Sequence, residues 1–107
     1  MKVLLDACVP RPLRKFLPDH SVNTAQEMAW GQLKNGALLR EAEIQFEAFI
    51  TTDQSLKYQQ KVVGRKLAIL VLPTNDWPAI RSKAVEIAAR VATLKPGDFV
   101  ELSWLNP

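Results

Sequence analysis

The chain has 107 residues, of which 48% are hydrophobic and 23% charged, and its formal net charge is +3. This length supports one hydrophobic core, so we expect residues 1–107 to form a single domain. No apolar run approaches the ~20 residues that a membrane-spanning helix requires. The single cysteine, Cys8, allows no disulfide within the chain and favours a reducing, cytoplasmic setting. One cysteine and one histidine are also too few for the usual zinc sites.

The first part of the chain predicts two short strands with a helical segment between them. Residues 3–5 form an apolar run that stops at Asp6, which is typical of a buried parallel strand. Apolar positions within residues 13–17 then predict a short helix, which Pro18 ends. Residues 20–24 indicate a second, weaker strand, and a glycine-containing loop follows it.

The rest of the chain predicts two longer helices and three more strands. The hydrophobic spacing favours a helix over residues 35–47, followed by a buried strand over residues 48–52. Residues 67–72 form another buried strand, and one long amphipathic helix follows over residues 77–94. The alternation over residues 99–104 is typical of an edge strand. This order predicts an α/β protein, a small three-layer α/β/α sandwich with a mostly parallel sheet.

Two aspartates follow strands of this predicted sheet. Asp6 comes directly after the first strand, and Asp53 comes after the strand at residues 48–52. In an open parallel sheet, ligands and chemistry collect at the carboxyl ends of the strands. Two carboxylates at that edge would make an oxygen-lined site suited to Mg²⁺ or Mn²⁺. The alternative is that each aspartate caps the helix or turn that follows its strand.

Three segments resemble the PIN-like nuclease domain family, above all its compact bacterial members related to VapC-type toxins. They are LLDACVP at residues 4–10, NGALLREA at 35–42 and FITTDQSL at 49–56. PIN-like domains are α/β/α sandwiches, and the active ones cut RNA through Mg²⁺ or Mn²⁺ ions held by a carboxylate cluster. The resemblance therefore implies that Asp6 and Asp53 are catalytic residues and metal ligands.

The chain also departs from the family pattern. Asn35 stands where the family has a second aspartate, so the implied third catalytic residue offers a carbonyl oxygen without a charge. The compact relatives carry a glutamate after the first aspartate, where this chain has Ala7. They often carry another acid two residues after the last aspartate, where this chain has Ser55.

The reduced set of acids favours one metal ion over two. Mg²⁺ binds through a few carboxylates together with water and substrate phosphate, so one ion recruited with the RNA phosphate suits two aspartates. We expect Thr52 or Ser55 to position water or a phosphate. Glu41 or Glu43 would serve as a third metal ligand if its side chain turned in from the flank of the helix. The favoured interpretation is that both glutamates are exposed to solvent on the flanks of that helix.

Basic residues near both aspartates indicate where a nucleic acid would bind. Arg11, Arg14 and Lys15 follow the first strand, and Lys57 follows Asp53 with Tyr58 as a stacking ring. Solvated surface cations are the alternative interpretation of the same residues.

The resemblance implies a metal-dependent ribonuclease, in the role of the toxin of a toxin–antitoxin pair, with RNA and a cognate antitoxin as partners. The alternative is a catalytically weakened PIN-like domain that binds RNA or a protein partner. A phosphoacceptor domain is disfavoured because one acid follows the first strand and no lysine ends the strand at residues 67–72. Ile44 lies nearly opposite the apolar stripe of its predicted helix, and its expected exposure, together with the alternating strand at residues 99–104, suggests a homodimer.

Overall fold

The computed structural model describes residues 1–56 and 64–104, without the side chain of Asn35. Its five strands are β1 (Lys2–Leu5), β2 (Ser21–Thr24), β3 (Ala48–Thr51), β4 (Ala68–Val71) and β5 (Phe99–Glu101). Its helices are α1 (Asn35–Gln45), α2 (Trp77–Ser82), α3 (Ala84–Ala92) and a 3₁₀ helix at Arg11–Phe16. The predicted α/β class is therefore confirmed.

All five strands form one parallel sheet in the order β2-β1-β3-β4-β5. The three central strands are short apolar runs because both of their faces are covered, and every residue of β3 and β4 is buried. The register places Leu5 of β1 beside Ile50 of β3 and beside Thr24 of β2. From β1 the chain moves first to β2 on one side and then, through α1, to β3 on the other side.

The side chains of alternate strand residues point to opposite faces of the sheet and build two cores. One face packs against the 3₁₀ helix, α2 and α3, through side chains that include Leu13, Ile80 and Ile87. The other face packs against α1, through side chains that include Leu38 and Phe46. Helices therefore cover both faces of the sheet, which gives the three layers that the element order predicts.

The prediction of one long helix over residues 77–94 is wrong, because the helix breaks at Lys83. The Lys83 backbone has φ −114° and ψ 12°, outside the helical range. Its N–H donates to the Ile80 carbonyl, which tightens the last turn of α2, and the Ser82 hydroxyl donates to the Ala79 carbonyl. The apolar positions keep their spacing through the break, so both helices pack on the same face of the sheet.

The last strand is shorter than predicted but lies at the predicted edge of the sheet. β5 ends at Glu101, although the Leu102 N–H still donates to the Val71 carbonyl over 2.9 Å. Val100, Leu102 and Trp104 pack against the same core, as their alternation predicts. Within residues 1–56 and 64–104, no helix has the length and apolarity needed to cross a bilayer.

Candidate functional site

The strand order places a topological switch point between β1 and β3. In open α/β sheets, ligands bind in the crevice outside the carboxyl ends of the two strands at such a point. Asp6 directly follows β1, and its N–H donates to the Ile50 carbonyl of β3 over 2.9 Å. Asp53 lies two residues beyond the end of β3. Both aspartates are therefore at the edge of the sheet where a ligand site is expected.

A single buried hydroxyl connects the two aspartate segments. Thr51 is fully buried, and its Oγ1 donates to Asp6 Oδ2 over 2.7 Å. The same oxygen accepts a hydrogen bond from the Asp53 backbone N–H over 3.1 Å. The arrangement follows from the register, because Leu5 lies beside Ile50 and the next residues along each strand are then Asp6 and Thr51.

Asp53 and Ser55 interact with each other in a tight turn. Asp53 Oδ1 accepts hydrogen bonds from the Ser55 backbone N–H over 3.0 Å and from the Ser55 hydroxyl over 2.7 Å. The next side chain, Gln54, donates from Nε2 to the Leu72 carbonyl over 2.6 Å, which ties the turn to the end of β4. Asp53 thus stabilises the turn after its strand, as the capping interpretation of the sequence expects.

Thr52 and Cys8 form a second contact between the loops after β1 and β3. The Thr52 hydroxyl donates to Cys8 Sγ over 3.0 Å, and Cys8 Sγ lies 3.5 Å from Asp6 Oδ2. Cys8 is exposed. The single histidine, His20, lies just before β2 and contacts the Met1 amino group over 3.2 Å. The thiol therefore has no imidazole beside it that would act as its base.

The donor set suits a hard ion that keeps part of its water shell. Among the described residues, no three histidine, cysteine or acidic side chains converge to hold a metal. Asp6 and Asp53 are the two carboxylates that follow strands at this edge, and they would be the residues to hold such an ion, since Mg²⁺ commonly binds through one or two carboxylates with water and phosphate oxygens completing the shell. Asn35 is the first residue of α1, which runs antiparallel to the strands and so begins at the same edge of the sheet.

Glu43 is used elsewhere and does not turn toward the aspartates. Its Oε2 accepts from Arg65 over 2.7 Å, and its Oε1 accepts from the Lys66 backbone N–H over 3.1 Å, just before β4 begins. The Lys66 N–H and the Arg65 guanidinium hold the pKa of Glu43 below its ordinary value. This contact lies at the amino end of β4, opposite the edge that carries Asp6, while Glu41 is exposed on α1.

Arg14 is held in place by an acidic partner. Its guanidinium donates to both carboxylate oxygens of Glu27, over 2.9 and 3.1 Å, and to the Val22 carbonyl over 3.4 Å. The Arg14 hydrogen bond is also the main cause of a lowered pKa at Glu27. Arg11 and Lys15 are exposed on the same 3₁₀ helix. Lys57 and Tyr58 lie outside the described residues.

Sequence reasoning matches Thr51 to the threonine that stands two residues before the last aspartate of the PIN-like pattern, but it assigns the positioning role to Thr52 or Ser55. The alternation of β3 nevertheless contains the signal for Thr51. Phe49 packs in the core under α1, and Thr51, two residues on, points to the same face at the end of the strand. The register that places Thr51 beside Asp6 depends on how two distant segments pair, which the sequence alone does not provide.

No family model, curated protein or solved structure matches this chain. The resemblance to PIN-like domains therefore rests on the sequence segments around Asp6, Asn35 and Asp53.

Proposed function

We propose that this chain is a PIN-like domain that cleaves RNA with the help of one divalent ion, Mg²⁺ or Mn²⁺. The observation that carries the proposal is the Thr51 hydroxyl, which contacts the Asp6 carboxylate and the Asp53 backbone at the switch point of the sheet. Two aspartates at this edge suit the binding of a phosphodiester. A divalent ion recruited there would take oxygen ligands both from the carboxylates and from the RNA phosphate.

Asp6 and Asp53 would hold the ion in this proposal. When bound, the ion would lower the pKa of a coordinated water and so supply the nucleophile. Thr51 fixes the orientation of the Asp6 carboxylate by donating to Oδ2. The resemblance assigns Asn35, the first residue of α1, as the uncharged third member of the site, and Arg11 would contribute a cation that attracts the RNA backbone.

An RNA cleavage assay tests this function directly. Wild type and the variants Asp6→Asn and Asp53→Asn are incubated with a fluorescent single-stranded RNA and Mn²⁺ or Mg²⁺, and a chelator arm removes the ion. We expect metal-dependent cleavage by wild type and a loss of about 100-fold or more in each variant, since each lacks one of the two charged ligands. Asp19→Asn changes an exposed carboxylate elsewhere and is the matched control. Cleavage that persists in both site variants would contradict the proposal.

The second candidate is an RNA-binding or protein-binding domain without turnover. It is favoured by the absence, among the described residues, of any group of three histidine, cysteine or acidic side chains that could hold a metal ion. RNA binding that weakens with salt but is unaffected by a chelator, with no cleavage, would select this function.

The toxin role adds a cognate antitoxin and a cytoplasmic setting to the proposal. Expression of the wild-type chain in a bacterium should slow growth, and expression of Asp6→Asn at the same level should not. Equal growth inhibition by both chains would argue against toxicity through this site.

A further inference from the structure

A cavity of about 210 Å³ lies at the amino ends of the strands, at the opposite end of the sheet from Asp6 and Asp53. Its walls are mainly apolar, and they include the buried side chains of Phe46, Ala68 and Leu94. An apolar cavity of about 150 Å³ in a protein is large enough to bind benzene. This cavity therefore has room for a small ring compound that also carries a polar substituent.

Two exposed lysines, Lys66 and Lys95, line the cavity, and their backbones are held close together. The Gly97 N–H donates to the Lys66 carbonyl over 2.9 Å. The Asp98 N–H donates to the Lys95 carbonyl over 3.0 Å, and the Lys95 N–H donates to Asp98 Oδ2 over 2.9 Å. These hydrogen bonds fix the points from which both lysine side chains start, so the two cations are placed before any ligand binds.

The acidic residues that line the cavity leave a positive charge beside it. Glu43 is already paired with Arg65 over 2.7 Å, so the charges of these two side chains cancel. Glu47 Oε1 accepts a hydrogen bond from a backbone N–H of β1 over 2.9 Å. Among the described residues, neither lysine side chain forms an ion pair or a hydrogen bond. Two unpaired lysines against the single carboxylate of Glu47 favour an anionic ligand.

We infer that this cavity binds a small molecule that has an apolar body and one carboxylate group. The body would lie against the apolar wall near Phe46, and the carboxylate would face Lys66 and Lys95. Removal of the apolar body from water supplies affinity, and the two ammonium groups favour an anion over a neutral molecule of the same shape. The inference does not depend on the proposed function, because the cavity and the aspartates lie at opposite ends of the strands.

Benzoate and benzamide are matched probes, because they share a ring and a planar substituent but differ in charge. Titration of the ¹⁵N-labelled chain followed by NMR gives both the affinity and the location of binding. We expect wild type to bind benzoate with a Kd of about 1 mM and benzamide about tenfold more weakly. The amide shifts should change most at Leu67, Ala68 and Lys95, and those of Asp6 and Asp53 should stay unchanged.

Variants of the two lysines test the role of their charge. Lys66→Gln and Lys95→Gln should each weaken benzoate binding about threefold, and the double variant about tenfold, while benzamide binding stays unchanged. Both side chains are exposed, so the fold should be unaffected. Lys34→Gln removes an exposed lysine just before α1, at the carboxyl ends of the strands, and is the matched control.

Four results would overturn the inference. They are the absence of saturable benzoate binding, benzamide binding as tight as that of benzoate, a double variant with wild-type affinity for benzoate, and shift changes centred away from this cavity.

Discussion

Thr51 illustrates how a buried residue can organise exposed ligands. Its hydroxyl donates to Asp6 Oδ2 and accepts from the Asp53 N–H, so it uses both hydrogen-bonding roles of a single oxygen. Because the side chain is fully buried, water cannot replace it in these contacts.

Replacing Thr51 separates the role of the hydroxyl from that of the methyl group. Thr51→Val keeps the shape but removes both hydrogen bonds, and we expect the free energy of unfolding to fall by about 1–2 kcal/mol. The same change should weaken Mn²⁺ binding, because Asp6 loses the donor that orients it. Thr51→Ser keeps the hydroxyl, so it should retain the Mn²⁺ affinity. Its free energy of unfolding should fall by about 0.8 kcal/mol, because one buried methyl group is removed.

Urea unfolding and calorimetric Mn²⁺ titration of the two variants give both quantities. Equal Mn²⁺ affinity in Thr51→Val and Thr51→Ser would show that the hydroxyl does not position the site. At this scale the sequence predicts that aspartates lie at the end of strands, but the choice between Thr51 and Thr52 depends on strand register. Thr52 directly precedes Asp53 in sequence, yet its hydroxyl donates to Cys8 Sγ.

At the scale of the elements, ion pairs and hydrogen bonds between residues that are distant in sequence join one element to another, and Glu43 forms the main example. It links α1 to the segment before β4 through Arg65 and the Lys66 N–H. These contacts hold the pKa of Glu43 below its ordinary value of 4.5. A carboxyl with a lower pKa in the folded state stabilises the fold above the unfolded-state value, and that contribution is lost as the pH falls through the folded-state value.

Glu43→Gln should therefore have a pH-dependent effect. At neutral pH we expect the variant to be less stable than wild type by about 1 kcal/mol, because the ion pair is lost. As the pH falls below 4.5, the difference in unfolding free energy should narrow, since Glu43 of the wild type becomes protonated. Glu41→Gln removes an exposed carboxylate of the same helix and is the matched control, which should leave the free energy of unfolding unchanged. If the difference in unfolding free energy between wild type and Glu43→Gln stayed constant with pH, the charge of Glu43 would not be the source of the stabilisation.

The elements also show where sequence patterns stop being informative. The apolar runs that form β3 and β4 are strong signals, because a strand buried on both faces must be apolar throughout. The break at Lys83 has no proline or glycine, and the apolar spacing continues across it, so the sequence favours one helix. Pairs such as Glu43 with Arg65 are 22 residues apart and become visible only when the chain is folded.

At the scale of the whole molecule, the carboxyl ends of the strands lie near the groups that a nucleic acid would contact. The carboxyl edge carries Asp6 and Asp53, and the loop after β1 leads from there to the exposed cations Arg11 and Lys15. Arg14 lies between these two cations in sequence but is neutralised by Glu27. An RNA bound at the carboxyl edge should therefore use Arg11 and Lys15 more than Arg14.

Salt dependence measures this directly, because each phosphate contact releases counterions from the RNA. For a single strand, the slope of log K against log salt is about −0.7 per neutralised phosphate. Arg11→Ala and Lys15→Ala should each reduce the magnitude of that slope by about 0.7, and Arg14→Ala should change it less because Glu27 already pairs with the guanidinium. Lys95→Ala removes an exposed cation that follows α3, beside the amino ends of the strands, and should leave the slope unchanged. Fluorescence anisotropy with a labelled RNA at several salt concentrations gives the slopes. An equal reduction by Lys95→Ala would place the RNA away from the aspartates and contradict the proposed site.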